Sequence, residues 1–192
     1  MRETYRDTRA NGAQMGTMPR MRDVSGLTRF LEQTPFFGGL QAAQLRGLVA
    51  MTVERTYERG AIVFTEGEQG SSMYVVQSGE LAAMRAGESG RPVKLMRLSP
   101  GDFFGETTLI EMQPRPFSVL VEKHARLLEL SNRDLYRLYQ TDMQAYVLVL
   151  QNINRELCRR LRRASRRLTE YAERAGDELT QIRETGPVLP KT

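Results

Sequence analysis

The sequence predicts a mainly β domain, an antiparallel sandwich or barrel, with helices before and after it. Residues 51–130 consist of short runs of β-branched and aromatic residues separated by turn residues, whereas apolar residues on either side follow helical spacing. The chain has 192 residues, enough for one domain with appendages. Its 40% hydrophobic and 27% charged residues are those of an ordinary globular domain.

Seven short runs are predicted to be the strands of this domain. They are TVERTY, AIVF, MYVV, LAAM, VKLMRL, FSVLVE and ARLLEL. Glycine, proline and serine between the runs predict turns at Gly60 and at residues 67–72, 78–79, 87–90 and 100–102. The only histidine, His124, falls at an expected hairpin between the last two runs.

Two short helices are expected before the strands. Residues 1–23 are polar and show no periodicity, so we expect a disordered tail there. Two helical patterns then lie between Val24 and Ala50, separated by the breaker TPFFGG. The predicted barrel domain therefore spans residues 24–140.

A long helix is expected after the strands. The segment SNRD at 131–134 resembles a capping box, and residues 141–144 form a second such start. Apolar residues then recur every three or four positions from Tyr146 to Ile182, which predicts one amphipathic helix over 141–184 and a tail over 185–192. Roughly 40 residues give a helix of about 60 Å. Because this outreaches a small β domain, we expect a homodimer through the helix.

The net charge of +5 comes from one short segment. Seven arginines and one acid, Glu156, lie between Arg155 and Arg167, so this segment carries +6 and the rest of the chain −1. One interpretation is a solvated helix flank that pairs with acids of the barrel or of a partner subunit. The other is contact with nucleic-acid phosphates, although no aromatic residues are interleaved as a single-strand platform requires.

Several functional classes are not supported. One cysteine, Cys158, excludes an internal disulfide and indicates a reducing, cytoplasmic location. No apolar run approaches the length of a membrane span, and the first residues do not resemble a secretory signal. Neither His124 nor Cys158 has the neighbours of a triad or metal site, and no paired carboxylates suggest acid–base catalysis. We therefore predict no enzyme activity, cofactor or metal.

The most informative stretch is FFGETTLIEMQPRPFSV, residues 103–119. It places Glu106 and Arg115 nine positions apart around one short helical turn, which Gly105 opens. Amides at a helix start and an arginine bind anions, and a carboxylate accepts hydrogen bonds from sugar hydroxyls. These groups suit a small ribose phosphate. The plainer alternative is that Glu106 and Arg115 form a structural ion pair.

Residues 26–168 resemble the cyclic nucleotide-binding domain family, which includes the bacterial catabolite activator, regulatory subunits of cAMP-dependent kinase and cyclic-nucleotide-gated channels. The resemblance rests on the ordered segments PFFGGL, ERGAIVFTEGEQGSSMYVVQSGEL, LSPGDFFGETTLI and PRPFSV. It implies a jelly-roll β-barrel (a double-stranded β-helix) with N-terminal helices and a long C-terminal helix. It also implies a cyclic nucleotide ligand, for which cAMP is the first expectation.

The resemblance assigns roles by position within the phosphate-binding cassette, which LSPGDFFGETTLI leads into and PRPFSV closes. Glu106 would bind the ribose 2′-hydroxyl and Arg115 the exocyclic phosphate oxygens. The amides of Thr107 and Thr108 would add donors, and Gly105 would allow close approach of the backbone. In the long helix, the string CRRLRRAS would place Ser165 against the base, from the same or a partner subunit; its plainer interpretation is an ordinary solvated helix residue.

The sequence departs from the family pattern after the cassette arginine, where Pro116 and Phe117 replace two small residues. Proline has no N–H, so one phosphate donor is lost. Such a bond is worth about 1.5–3 kcal/mol, roughly ten- to a hundred-fold in affinity. Phe117 would crowd the sugar or pack outward. A ligand-independent dimeric scaffold that retains the fold is therefore a second hypothesis.

A further departure follows the long helix. Bacterial transcription factors of the family carry a winged helix-turn-helix there, whereas only TGPVLPKT follows here. The expected effector is an unidentified partner protein or the helix itself. The resulting prediction is a cyclic-nucleotide sensor that signals through its long helix, with a helix-mediated nucleic-acid binder as the third hypothesis.

Overall fold

The structure is a computed structural model that describes residues 24–87 and 90–175. The predicted tails at 1–23 and 185–192, and the predicted helical residues 176–184, lie outside the described residues. Among the described residues, no helix combines the length and the apolar character that crossing a membrane would require.

The described elements follow the predicted order of helices, strands and helices. The helices are α1 (Val24–Gln33), α2 (Ala42–Met51), α3 (Glu106–Glu111), α4 (Asn132–Thr141) and α5 (Met143–Ala175), with a 3-10 turn at Pro35–Phe37. The strands are β1 (Val53–Tyr57), β2 (Ile62–Phe64), β3 (Ser72–Ala86), β4 (Pro92–Leu98), β5 (Phe103–Phe104) and β6 (Ser118–Ser131).

All strand pairs are antiparallel, and the long strands β3 and β6 form the centre. The main path runs β1-β6-β3-β4, with β2 added to β6 and β5 added to β3. This is the jelly-roll arrangement with N-terminal helices and a long C-terminal helix, so the predicted fold class is confirmed.

Two predicted turns are wrong. The runs MYVV and LAAM lie in one strand, β3, and the expected hairpin at His124 lies within β6. The pairing of β3 with β6 shifts register around Ser78 and Glu80. Gly79 has φ +95°, and a Cβ there would lie 2.3 Å from the His124 carbonyl oxygen. The glycine therefore makes a β-bulge, whose sequence signature is also that of a turn.

Side-chain caps start the last two helices where the sequence predicts them. Ser131 Oγ accepts a hydrogen bond from the Asp134 amide, and Asp134 Oδ2 accepts one from the Ser131 amide at 2.9 Å. This reciprocal pair is a capping box. At the start of α5, Asp142 Oδ1 accepts from the Ala145 amide at 2.9 Å.

The apolar interior has two parts on either side of β5. Leu31, Phe36, Phe103 and Ile153 belong to the first, which joins α1, α2, α4 and α5 to the outside of the sheet. The second fills the barrel and consists of Phe64, Tyr74, Val76, Leu81, Leu98, Phe104, Val119, Val121, Ala125 and Leu127. Successive strand residues face opposite sides. Consecutive phenylalanines at 103 and 104 therefore anchor β5 in both parts.

Helix α5 packs against the apolar interior along its first half. Ile153 is fully buried, and Asn152 Nδ2 donates to the carbonyl oxygens of Phe36 and Gly38. Further along, Leu161 and Tyr171 are 68% and 72% exposed. The apolar stripe thus continues beyond the surface that the barrel covers.

Candidate ligand-binding site

The cassette begins where β5 meets α3. Residues 103 and 104 pair with Val75 and Tyr74 of β3, and Gly105 then takes φ +81° as the residue before α3. A Cβ on Gly105 would lie 2.6 Å from Arg115 Nη1 and 3.1 Å from the Ser72 carbonyl oxygen. Both the left-handed backbone and the close approach therefore require glycine here.

Arg115 is held by its backbone and its side chain. Its amide donates to the Glu68 carbonyl, and its carbonyl accepts from the Gly67 amide, both at 2.9 Å. Its Nη1 donates to the Gly105 carbonyl oxygen at 3.2 Å and to Thr108 Oγ1 at 3.4 Å. The guanidinium carbon lies 4.1 Å from the centre of the Phe64 ring, within cation–π range.

Arg115 is only 4% exposed, yet among the described residues no carboxylate forms an ion pair with it. Its Nε is buried and has no hydrogen-bond partner. Burial lowers the pKa of Arg115, while Tyr74 and Glu68 act in the opposite direction. A buried guanidinium without a counter-charge is costly, so this position favours an anion.

Glu106, in contrast, has a counter-charge from helix α5. The residue is 3% exposed, and its Oε1 accepts a hydrogen bond from Arg160 Nη1 at 2.9 Å. Arg160 Nη2 also donates to the Phe103 carbonyl oxygen. Burial raises the pKa of Glu106, and Arg160 partly offsets this. The alternative of a structural Glu106–Arg115 ion pair is therefore not what the structure shows.

The arginine segment contains members that pair with an acid and others that have no acidic partner among the described residues. Glu156 accepts from Arg163 Nη2 at 2.6 Å, and Arg159 and Arg160 each approach it at 3.4 Å. Three other arginines are exposed and have no ion-pair partner among the described residues: Arg162, Arg166 and Arg167. Of the three arginines that pair with acids, only Arg160 is largely withdrawn from solvent.

The two threonines of α3 differ in their surroundings. Thr108 is 1% exposed, and its hydroxyl oxygen accepts from Arg115. Thr107 is half-buried. Their amides lie in the opening turn of the helix, where N–H groups have no partner within the helix itself.

The residues after Arg115 flank the same region. Pro116 is exposed, whereas Phe117 is half-buried and packs against the barrel interior, with its ring centre 6.2 Å from that of Phe64. Of the two arrangements expected for Phe117, inward packing is the one seen. The rings of Phe64 and Tyr74 lie 4.1 Å and 5.9 Å from the Arg115 guanidinium carbon, and Phe117 packs on Phe64.

Ser165 is not brought to the cassette by its own chain. It is exposed, and its hydroxyl donates to the Leu161 carbonyl oxygen of the preceding turn. It lies five residues, about 7.5 Å along the axis, beyond Arg160. A contact between Ser165 and a ligand of a partner subunit stays a prediction.

Three residues at the site escaped the sequence analysis. Arg160 was one of seven similar arginines, and no local signal pairs it with an acid 54 positions earlier. Phe64 reads as an ordinary strand residue. Gly70 reads as a turn residue, yet a Cβ there would lie 2.4 Å from the Arg115 guanidinium.

A small cavity of about 180 Å³ lies next to this site, between the 3-10 turn, the turn before β5 and helix α5. Its lining includes Phe36, Phe103, Arg155, Glu156 and Arg160 but neither Glu106 nor Arg115. It therefore adjoins the helix side of the Glu106–Arg160 contact.

Residues 54–142 match the family model of the cyclic nucleotide-binding domain, and this span holds the cassette and the barrel strands. The chain contains a cyclic nucleotide-binding domain. The family inferred from the ordered segments is therefore confirmed.

Relatives of this cyclic nucleotide-binding domain are regulatory proteins. The cyclic AMP receptor protein of Thermus thermophilus is 30% identical over 134 residues, 70% of this chain and 60% of the relative. A cAMP-dependent protein kinase regulatory subunit of Yarrowia lipolytica is 32% identical over 109 residues, 57% of this chain and 28% of the relative. The chain thus spans three fifths or less of the length of these two relatives.

A solved structure shows the same fold. The crystal structure of the Thermus thermophilus catabolite activator protein aligns with a TM-score of 0.64 and 30% identity, and covers 72% of this chain and 63% of that one. The similarity supports the assignment of the cyclic nucleotide-binding domain and of its jelly-roll architecture.

Proposed function

We propose that this chain is a cyclic-nucleotide sensor that binds a cyclic mononucleotide, first of all cAMP, in the cassette between Glu106 and Arg115. One observation carries the proposal: Arg115 is almost fully buried, has no acidic partner among the described residues and has an unpartnered Nε. A singly charged phosphodiester supplies the missing charge and fits the planar guanidinium fork. The names of the relatives, a cyclic AMP receptor protein and a kinase regulatory subunit, agree with this ligand class.

In this proposal each cassette residue binds a distinct part of the ligand. Arg115 binds the exocyclic phosphate oxygens, and the amides of Thr107 and Thr108 add hydrogen bonds to the same anion. Gly105 allows the backbone to approach the ligand closely. Glu106 accepts a hydrogen bond from the ribose 2′-hydroxyl.

Signalling passes from the cassette to helix α5 through Glu106 and Arg160. The carboxylate that accepts from Arg160 is also the acceptor proposed for the ribose, so ligand and helix compete for it. Binding then shifts the population between two arrangements of α5. The size of the shift is limited by the difference in ligand affinity between these arrangements.

The exposed half of α5 is the proposed contact with a second copy of the chain. Leu161, Leu168 and Tyr171 are each more than 60% exposed and continue the helical stripe. A matching helix would cover this stripe. In such a homodimer Ser165 of one subunit reaches the ligand of the other. The output then goes to an unidentified protein effector, in a cytoplasmic setting.

The second candidate is a ligand-independent dimeric scaffold, which two observations favour. Phe64 already faces the guanidinium at 4.1 Å, and a cation–π contact offsets part of its burial cost. Pro116 lacks the amide N–H that would bind phosphate, and the Phe117 ring packs on Phe64, with the ring centres 6.2 Å apart. Nucleic-acid binding through Arg162, Arg166 and Arg167 is a third candidate, weakened because Glu156 and Glu106 already engage other members of the segment.

Thermal unfolding with millimolar cAMP, cGMP or cyclic dinucleotides separates the first two candidates. A micromolar binder gains about 4 kcal/mol at a thousand times its dissociation constant. The sensor predicts such a gain for the wild type and its loss in Arg115→Ala. No gain with any of these nucleotides would favour the scaffold. For the third candidate, DNA binding with a steep salt dependence is the expected signature.

A further inference from the structure

The Arg115 guanidinium lies in a slot formed by Phe64 and Gly70, two residues outside the cassette. The loop over residues 65–71, between β2 and β3, carries both backbone hydrogen bonds to Arg115, from Gly67 and to Glu68. The loop is anchored in turn to β6, since the Glu66 amide donates to Ser118 Oγ at 2.9 Å. These hydrogen bonds connect Arg115 to the loop and the loop to the start of β6.

Gly70 of this loop touches the guanidinium more closely than any side chain would permit. A Cβ at this position would lie 2.4 Å from Cζ and Nε of Arg115 and 2.6 Å from its Nη2. The backbone of Gly70 does not have a positive φ, so conformation alone does not require glycine. The space occupied by the guanidinium is therefore what excludes a side chain at Gly70.

We propose that Gly70 and Phe64 are positioning residues for the cassette arginine. Gly70 leaves the room that the guanidinium occupies, and the Phe64 ring lies 4.1 Å from its central carbon. Together they fix where the positive charge is presented, while Arg115 itself contacts the anion. The inference rests on the proposed function, in that the anion is the phosphate of a cyclic nucleotide.

The substitution Gly70→Ala displaces the charge without removing it. The added methyl group collides with the end of a long side chain rather than with backbone, so the guanidinium moves and the fold persists. We expect cAMP affinity to fall about tenfold or more, with the thermal midpoint of the ligand-free protein nearly unchanged. Gly47→Ala is the matched control, because Gly47 lies in α2 with nothing within 4 Å of its added methyl. The control should keep full affinity.

A second readout does not depend on any ligand. In the ligand-free wild type the Arg115 Nε–H is buried without solvent contact. It should give a nitrogen–proton correlation signal that exchanges slowly with water, assigned by its absence in Arg115→Lys. Gly70→Ala should convert this signal to fast exchange, and Gly47→Ala should not.

Phe64→Leu tests the other half of the slot. It should speed exchange of the same signal and weaken cAMP binding. Phe37→Leu, at an equally buried ring in the helical part of the interior, controls for general loss of packing. It should change the thermal midpoint but neither the signal nor the affinity.

The outcomes separate this inference from the proposed function. Slow exchange that persists in Gly70→Ala overturns the positioning role, whatever happens to affinity. If the signal exchanges fast in Gly70→Ala but the wild type binds no cyclic nucleotide, the positioning role of Gly70 is supported and the proposed sensor function is overturned. Fast exchange with wild-type affinity in Gly70→Ala shows that placement of the guanidinium is irrelevant to binding, and this also overturns the proposal.

Discussion

Arg160 of helix α5 and Glu106 of the cassette are joined by a 2.9 Å hydrogen bond between Nη1 and Oε1. Their side chains are 17% and 4% exposed, so both ends of the contact are largely withdrawn from water. The pair therefore connects the proposed ribose acceptor to the helix that leaves the barrel.

Arg160→Gln should destabilise the ligand-free protein by about 3 kcal/mol, because it leaves the Glu106 carboxylate buried without its partner. Urea unfolding measures this change. Arg162→Gln, an exposed arginine on the same helix, is the control and should stay within about 0.5 kcal/mol of wild type. In a double-mutant cycle with Glu106→Gln we expect a coupling of about 1 kcal/mol or more. Additive effects on the free energy of unfolding would mean that the two side chains are not energetically coupled.

Arg115→Met should leave the ligand-free protein at least as stable as wild type, by up to about 1 kcal/mol, because it removes a buried cation that lacks a counter-charge. The same variant should lose cyclic-nucleotide binding. Arg126→Met is the control, since Arg126 forms an exposed ion pair with Glu54. Its removal should cost between about 0 and 1 kcal/mol. A large loss of stability in Arg115→Met would show that the guanidinium is structural.

The arrangement of elements was predictable because local signals specify it. The Ser131 capping box and the breaker before α2 act over a few residues each, and the structure confirms both. The predicted runs also lie in strands, although MYVV and LAAM join in β3, and FSVLVE and ARLLEL join in β6. The contact between Arg160 and Glu106 was not predictable, since it depends on how α5 lies across the barrel. The bulge at Gly79 was mistaken for a turn because both need a left-handed glycine. The need for glycine at position 70 comes from the path of the Arg115 side chain, which the spacing of residues in the sequence does not reveal.

Acidification should favour the folded wild type relative to Glu106→Gln. Burial raises the pKa of Glu106 above its ordinary value of 4.5, so the folded state binds the proton more tightly than the unfolded state. The stability linked to this proton is present at low pH and is lost as pH rises through the folded pKa. Urea unfolding of both proteins at about pH 7 and about pH 5 tests the sign. A wild-type advantage that shrinks on acidification would contradict the raised pKa.

Pro116→Ala should tighten cyclic-nucleotide binding, because it restores an amide next to the phosphate position. A charge-assisted hydrogen bond of about 1.5–3 kcal/mol corresponds to roughly ten- to a hundred-fold in affinity. Pro114→Ala is the matched control, as this exposed proline lies in the same connection one residue before Arg115. Equal affinity of Pro116→Ala and wild type, measured by calorimetry, would show that no phosphate reaches this amide.

Leu161→Glu combined with Leu168→Glu should convert the proposed dimer into a monomer, because charged groups replace apolar ones on the exposed stripe of α5. Sedimentation velocity measures the change in mass. Ile62→Glu is the control, since Ile62 is 50% exposed on β2, away from α5. A mass that is unaffected by the double substitution would place the subunit contact elsewhere.

Isothermal titration of the ligand-free protein with cAMP tests the central claim most directly. The account predicts saturable binding of one nucleotide per chain, loss of that binding in Arg115→Met and retention of the folded state in the variant. Absence of heat with cAMP, cGMP and cyclic dinucleotides, or equal binding by Arg115→Met, would contradict the assignment of the buried guanidinium as the anion-binding group.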